Sequence, residues 1–268
     1  LIMGDATEDS EILYLIEITA ENYLKPTNKT TLAKITIAVL MALVLSSCAI
    51  DMSWGEGKRG NGNITDERRE VTSEFTAVVA TEGLDVYITQ DRDFEILVEA
   101  DENVIDLIAT DIKNGKLTIH AVENIGRATK KVYVTLPVIT SLKASSGADL
   151  ITREGIEADE IYLDTSSGAD LKVTLSADIV HADSSSGADL RISGVANTLY
   201  ADASSGADIK AGEFKVKTCE ADASSGADIR LNVSERLVAD ASSGADISYT
   251  GKAQVTKNKS VSGSVREY

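Results

Sequence analysis

Aromatic side chains are scarce in this 268-residue chain: one Trp, three Phe and eight Tyr, 4% in all. A core short of rings must be filled by small and β-branched aliphatic residues. Proline occurs only twice, so most turns must be made by other residues. Cysteine also occurs only twice, as Cys48 and Cys219. Two cysteines in unrelated settings make neither a disulfide framework nor a zinc pattern. Positive charge is in short supply as well. Twenty-six Lys and Arg face 43 Asp and Glu, for a formal net charge of −17. Such a chain repels phosphates instead of releasing their counterions, which argues against nucleic acid as a general partner. The two histidines, His120 and His181, are too far apart in sequence to argue for a pair. P-loop, nucleophile-elbow and metalloprotease motifs are missing.

The front of the chain reads as an export signal. Residues 35–45, ITIAVLMALVL, follow Lys25, Lys29 and Lys34 and precede Ser46-Ser47-Cys48. Eleven apolar residues rise about 16 Å as a helix, too short for a hydrocarbon core of about 30 Å. A positive flank, a short apolar run and small residues make a signal peptide, here over 29–48. "LSSC" resembles a bacterial lipobox, whose cysteine becomes the first mature residue and carries acyl chains, so Cys48 is the expected lipid attachment and the membrane a partner. Residues 1–28 precede the signal and read as an upstream extension, with translation expected to start nearer Leu24 or Leu32. Residues 49–62, rich in Gly, Asn and charge, read as a tether.

The rest of the chain is organised by a refrain. Copies of S-S-G-A-D-[LI] start at Ser145, Ser166, Ser185, Ser204, Ser224 and Ser242, in steps of 21, 19, 19, 20 and 18 residues. Thr81-Glu82-Gly83-Leu84-Asp85-Val86 reads as an early copy and Val261-Ser262-Gly263-Ser264 as a decayed late one. A period near 20 signals a solenoid, in which each unit buries its apolar face against its neighbours. The local period is 2: in "GADLKV", Ala169, Leu171 and Val173 alternate with Asp170 and Lys172. This predicts an all-β parallel β-helix, each coil built from two or three short strands, with coils about 4.8 Å apart. Cys219 falls in an aliphatic column with Ile161, Val180, Leu199 and Leu237, as a small buried hydrophobe. Gly147, Gly168, Gly187, Gly206, Gly226 and Gly244 form a structural turn ladder, because glycine reaches positive φ without a Cβ clash. Residues 61–143 are less regular. Their alternating stretches 94–100, 115–122 and 131–137 are expected to cover the open end of the solenoid within one domain, residues 63–264.

Two aspartate columns flank each turn. One is Asp149, Asp170, Asp189, Asp208, Asp228 and Asp246. The other, six residues earlier, is Asp164, Asp183, Asp202, Asp222 and Asp240. Like charges one coil apart repel by about 1 kcal/mol in water. Lys172, Arg191, Lys210 and Arg230 offer relief to the first column. The second has two readings, hydrogen bonding to turn hydroxyls and backbone, or weak binding of a divalent cation such as Ca²⁺. Tyr162, His181 and Tyr200 share an outward column and form a candidate ligand strip for a sugar.

The stretches "GNGNITDERREVTSEFTAVVATEGLDVYITQ" and "VEADENVIDLIATDIKNGKLTI", the SSGAD refrain and the closing "NKSVSGSV" resemble the head GIN domain family of auto-transporter adhesins, common among bacterial lipoproteins. The resemblance spans residues 60–264. It implies a right-handed parallel β-helix and a role in adhesion, and it supplies no catalytic residues. Glu82 stands where a smaller residue is expected, so the early coil is expected to depart locally. Charges repeated on every coil are unlike a catalytic centre, which needs one unique cluster. The expectation is a non-enzyme: an exported, lipid-anchored module contacting a glycan or surface protein. An envelope scaffold without a ligand and a polysaccharide-active enzyme are the alternatives.

Overall fold

The structure, a computed structural model, describes residues 57–257 and 262–268. The signal peptide, Cys48 and the upstream extension lie outside the described residues. Among the described residues seventeen strands form one hydrogen-bonded sheet. The less regular half supplies β1 (Ile64–Arg69), β2 (Ala77–Ala80), β3 (Asp85–Gln90), β4 (Glu95–Asp101), β5 (Ile108–Lys113), β6 (Lys116–Ala121) and β7 (Lys130–Leu136). A short 3₁₀ turn, Ile105–Leu107, precedes β5. The repeats supply β8 (Ser141–Ala144), β9 (Asp149–Thr152), β10 (Ile156–Thr165), β11 (Asp170–Ser184), β12 (Asp189–Ala203), β13 (Asp208–Ala223), β14 (Asp228–Ala241) and β15 (Asp246–Thr250). β16 (Gln254–Lys257) and β17 (Ser264–Glu267) close the chain.

The repeats are a parallel β-helix in register. Asp170 pairs with Asp189, Asp189 with Asp208 and Asp208 with Asp228. Leu150, Leu171, Leu190, Ile209, Ile229 and Ile247 pile into one fully buried column. Ile161, Val180, Leu199, Cys219 and Leu237 form a second. Burial pushes the Cys219 thiol up to about 12, with the Glu220 carboxylate adding to it, so the side chain behaves as an apolar filler. The coils differ from the expected two or three short strands. β11 to β14 each run 14 to 16 residues as one strand, interrupted once per coil by the refrain. Corners elsewhere are absorbed by slips in register, between Arg191 and Ser193 and between Lys210 and Lys215, where the unit length varies.

The refrain is a two-residue turn of type I′. In the first copy Ser146 has φ 52° and Gly147 φ 71°, and the Ala148 N–H donates to Ser145 O at 3.2 Å. Both central residues are left-handed, as this turn requires. All six copies share these signs of φ. The Gly147 N–H donates to Ser167 O of the next coil, Gly168 to Ser186 and Gly187 to Ser205, so the glycines stand at one edge. Glu82 (φ 61°) and Gly83 (φ 66°) adopt the same turn, and the Gly83 N–H donates to Ser146 O. The early coil therefore does not depart there. The Glu82 side chain points outward and accepts from the Ala121 N–H at 2.7 Å, which accommodates its length.

The opening half departs from pure parallel pairing. β2 and β3 sit between later strands: β2 pairs with β6 on one side and β8 on the other, and β3 with β7 and β9. The first coil in sequence is thus the second in space. Antiparallel partners finish this end, β5 against β6, β4 against β7 and β1 against β4. Residues 57–62, read from sequence as the end of a tether, are docked. The Lys58 N–H donates to Asn124 O at 2.9 Å and the Gly60 N–H to Arg127 O at 3.0 Å. Among the described residues no helix is long and apolar enough to cross a membrane.

Candidate functional site

The strand alternation that buries Ile161, Val180 and Leu199 turns their successors outward. Tyr162, His181 and Tyr200 are register partners on β10, β11 and β12. Their rings stack. Tyr162 and His181 have centroids 4.4 Å apart and planes within 5°, and His181 and Tyr200 are 5.0 Å apart within 11°. Tyr162 is 48% exposed and Tyr200 42%. Glu160 fixes one end of the strip. Its Oε1 accepts from the Tyr162 hydroxyl at 2.9 Å and lies 2.9 Å from His181 Nε2. These two hydrogen bonds hold the Glu160 carboxyl below its usual range, and the Tyr162 phenol is raised in return. The strip ends at Glu220 and Val238, as the letters of the column show.

Two residues further along each strand stands the second aspartate column. Asp164, Asp183, Asp202, Asp222 and Asp240 pair in order. Strip and column share a shallow groove of about 290 Å³ that includes His181, Tyr200, Asp183, Asp202 and Asp222. Partial withdrawal from water, then the charges of Asp202 and Asp164, raise the Asp183 carboxyl. Asp222 is raised by the same withdrawal and by Asp240 and Asp202. The column does have a basic partner at its start: Lys143 is the register neighbour of Asp164 and its Nζ lies 3.0 Å from the carboxylate. Lys143 stands six residues before Asp149, so the constant six-residue offset already pointed to it. Glu160 was likewise legible as the outward residue before Tyr162, but the register omits Asp159 at that point, which obscured the alternation.

The aspartates form a line with one carboxylate per coil, and among the described residues no three His, Cys, Asp or Glu side chains are grouped to hold a metal ion. Calcium takes six to eight oxygens. The residues present do not fit it.

Beyond the turn, the first aspartate column runs from Asp85 through Asp149 and Asp170 to Asp246. The basic residues beside it bridge adjacent coils. Arg191 lies 2.9 Å from Asp170 and 3.1 Å from Asp189, and Lys210 reaches Asp189 and, at 2.9 Å, Asp208. Burial works against ionisation of Asp189, but the Lys210 hydrogen bond and the nearby cations outweigh it and hold the carboxyl below its usual range. At Asp149, burial and the charges of Asp170 and Asp85 dominate and the carboxyl is raised.

The family model described as "Putative auto-transporter adhesin, head GIN domain" matches residues 74–253. The chain belongs to this family. Its fold is shared by solved structures of low sequence identity. A "putative adhesin" from Bacteroides fragilis aligns over 79% of this chain and 100% of its own, with a TM-score of 0.72 and 18% identity. A "putative adhesin" from Parabacteroides merdae aligns over 78% and 98%, at 0.65 and 19%. A "putative lipid binding protein" from Parabacteroides distasonis aligns over 78% and 98%, at 0.62 and 16%. No curated protein matches the chain in sequence. The head GIN match covers both the ring strip and the two aspartate columns.

Proposed function

We propose that this head GIN protein is an exported, lipid-anchored adhesin without catalytic activity. Cys48 carries the acyl chains, and the short segment before residue 57 spaces the β-helix from the membrane. The Tyr162–His181–Tyr200 strip receives the face of a sugar ring on a glycan or glycosylated surface protein. Membership of a family described as auto-transporter adhesins supports the adhesive role. The observation that carries the site is the stack itself: three rings nearly parallel and open to solvent, braced by Glu160. The stack turns its ring edges outward and leaves the outer face of Tyr200 for the C–H face of a sugar, and the adjacent Asp183 and Asp202 carboxylates can accept from its hydroxyls. The two aspartate columns and the basic row recur coil after coil, unlike the singular acid–base pair that glycoside cleavage needs.

The test is a glycan array probed with wild-type protein and with the Tyr162→Ala/Tyr200→Ala double variant. The expected result is binding to a restricted set of glycans, lost in the variant. Full retention of binding by the variant would remove the strip from consideration. Protease treatment of whole cells adds the matter of display: an adhesin is cleaved from outside, and a Cys48→Ser protein is released from the envelope.

A further inference from the structure

A second groove lies on the other side of the serine–glycine turn, and its case is independent of the ring strip. Lys172, Arg191, Lys210 and Arg230 are register partners on four successive coils. Their side chains line a depression of about 500 Å³ together with Ser193, the exposed Tyr268 and one carboxylate, Glu213, against which the four cations leave a net positive charge. The depression sits where the β12–β13 and β13–β14 ladders slip register. Gly212, at that slip, leaves room for the tyrosine: a Cβ there would come within 2.8 Å of Tyr268 Oη.

The four cations are not equivalent. Arg191 and Lys210 are committed to Asp170, Asp189 and Asp208. Lys172 and Arg230, at the two ends of the row, are exposed and form no ion pair among the described residues. The two central cations show that this row accepts carboxylates. The two end cations present the same chemistry to solvent, three coils apart, or about 14 Å. Arginine's planar fork takes a carboxylate through two parallel hydrogen bonds, and lysine takes it as a point charge. Tyr268 adds an apolar ring beside them for the face of a sugar. The net charge of −17 opposes a long polyanion through the field of the whole molecule. The geometry points to a binding site for a short oligosaccharide of carboxylated sugars, whose acid groups meet Lys172 and Arg230 and one of whose rings covers Tyr268.

The probe is trigalacturonate, set against its fully methyl-esterified form, which keeps the size and hydroxyls and loses the charge. Isothermal titration on the wild-type protein should show binding of the acid trimer and none of the ester. Lys172→Gln and Arg230→Gln should each weaken it about tenfold, the worth of one charge-assisted hydrogen bond. Both positions are exposed, and thermal melting checks that the variants fold. Tyr268→Ala, which leaves every charge in place, should weaken binding too and serves if a charge variant does not fold. The Tyr162→Ala/Tyr200→Ala protein should bind the trimer as wild type does, which separates this site from the ring strip. Absence of binding by the acid trimer, equal binding of the ester, or undiminished binding by the Lys172→Gln/Arg230→Gln double variant would overturn the assignment.

Discussion

Ser205 carries a φ of 55° and Gly206 one of 70°, and the same pair of left-handed residues recurs in every coil. For an L-residue with a Cβ that region costs about 1 kcal/mol or more, least for Asn and Asp. A Cβ on Gly206 would meet nothing within 4 Å, so its replacement isolates the backbone cost from any clash. Gly206→Ala is therefore expected to lower the unfolding free energy by about 1 kcal/mol, while Ser205→Asn, which creates the preferred Asn-Gly type I′ pair, should raise it by a few tenths. Equilibrium denaturation by urea reads both. The glycine column was legible in the letters, because glycine is the residue that advertises positive φ. The serine before it was not, since serine gives no such signal and a stacked hydroxyl explained its recurrence equally well. Gly194 shows the same limit outside the refrain: with φ 111°, its Cβ would lie 2.0 Å from Leu175 O, a close approach that no repeat in the sequence marks.

Charge acts at the same scale. Asp202 stands between Asp183 and Asp222, and both neighbours have raised carboxyls. A raised folded-state value means that the ionised column costs stability at neutral pH. The cost is relieved as the native protein takes up protons before the unfolded chain does, on falling through those raised values toward the ordinary 3.8. Asp202→Asn should therefore stabilise the protein at pH 7 by about 0.5–1 kcal/mol. The gain should fade below about pH 3, where the raised carboxyls of this column are protonated and those of the unfolded chain mostly so. Melting temperatures of the two proteins across pH measure it, and a gain independent of pH would disprove the repulsion.

At the scale of the element, the buried column just before each turn reads Ala144, Thr165, Ser184, Ala203, Ala223 and Ala241. The two hydroxyls sit on adjacent coils and satisfy each other: Thr165 Oγ1 donates to Ser184 Oγ at 2.8 Å, and Ser184 Oγ donates to Ala188 O at 3.1 Å. Ser184→Ala should cost about 1 kcal/mol by leaving the Thr165 hydroxyl only the long 3.5 Å bond to Asp183 O, and the Thr165→Ala/Ser184→Ala pair should cost less than the two single changes added together. A double-mutant cycle in urea decides it. Much of this element was readable beforehand. Period-2 alternation and the constant offset of six placed the two aspartate columns, the row from Lys172 to Arg230 and the three rings on their faces, and put Cys219 among aliphatics. The continuity of β11 to β14 was hidden, because their bends fall at slips in register that carry no turn motif. The parallel ring strip is visible as a column of letters, but the 4.4 Å stacking depends on the exact superposition of coils.

Over the whole molecule, a solenoid must end without inviting copies of itself onto its open strands. The terminal strands here are short and charged: β1 reads ITDERR, β5 IATDIK, β16 QVTK and β17 SVRE. The composition announced a repetitive interior but gave no hint of how the opening half is threaded, because pairing between β2 and β6, or β3 and β9, leaves no local pattern. That threading separates the two halves in how they can be assembled. From β10 onward each coil needs only the one before it, and such a stack can grow a layer at a time. The coil of β2 and β3 has no finished neighbour until β6 to β9 have been supplied on both of its sides, roughly seventy residues later in the chain by the strand positions. A polypeptide made from its amino terminus must therefore hold its opening segment incomplete while the later strands emerge. The refrain beyond then accretes onto a platform that is sealed last where the chain began first.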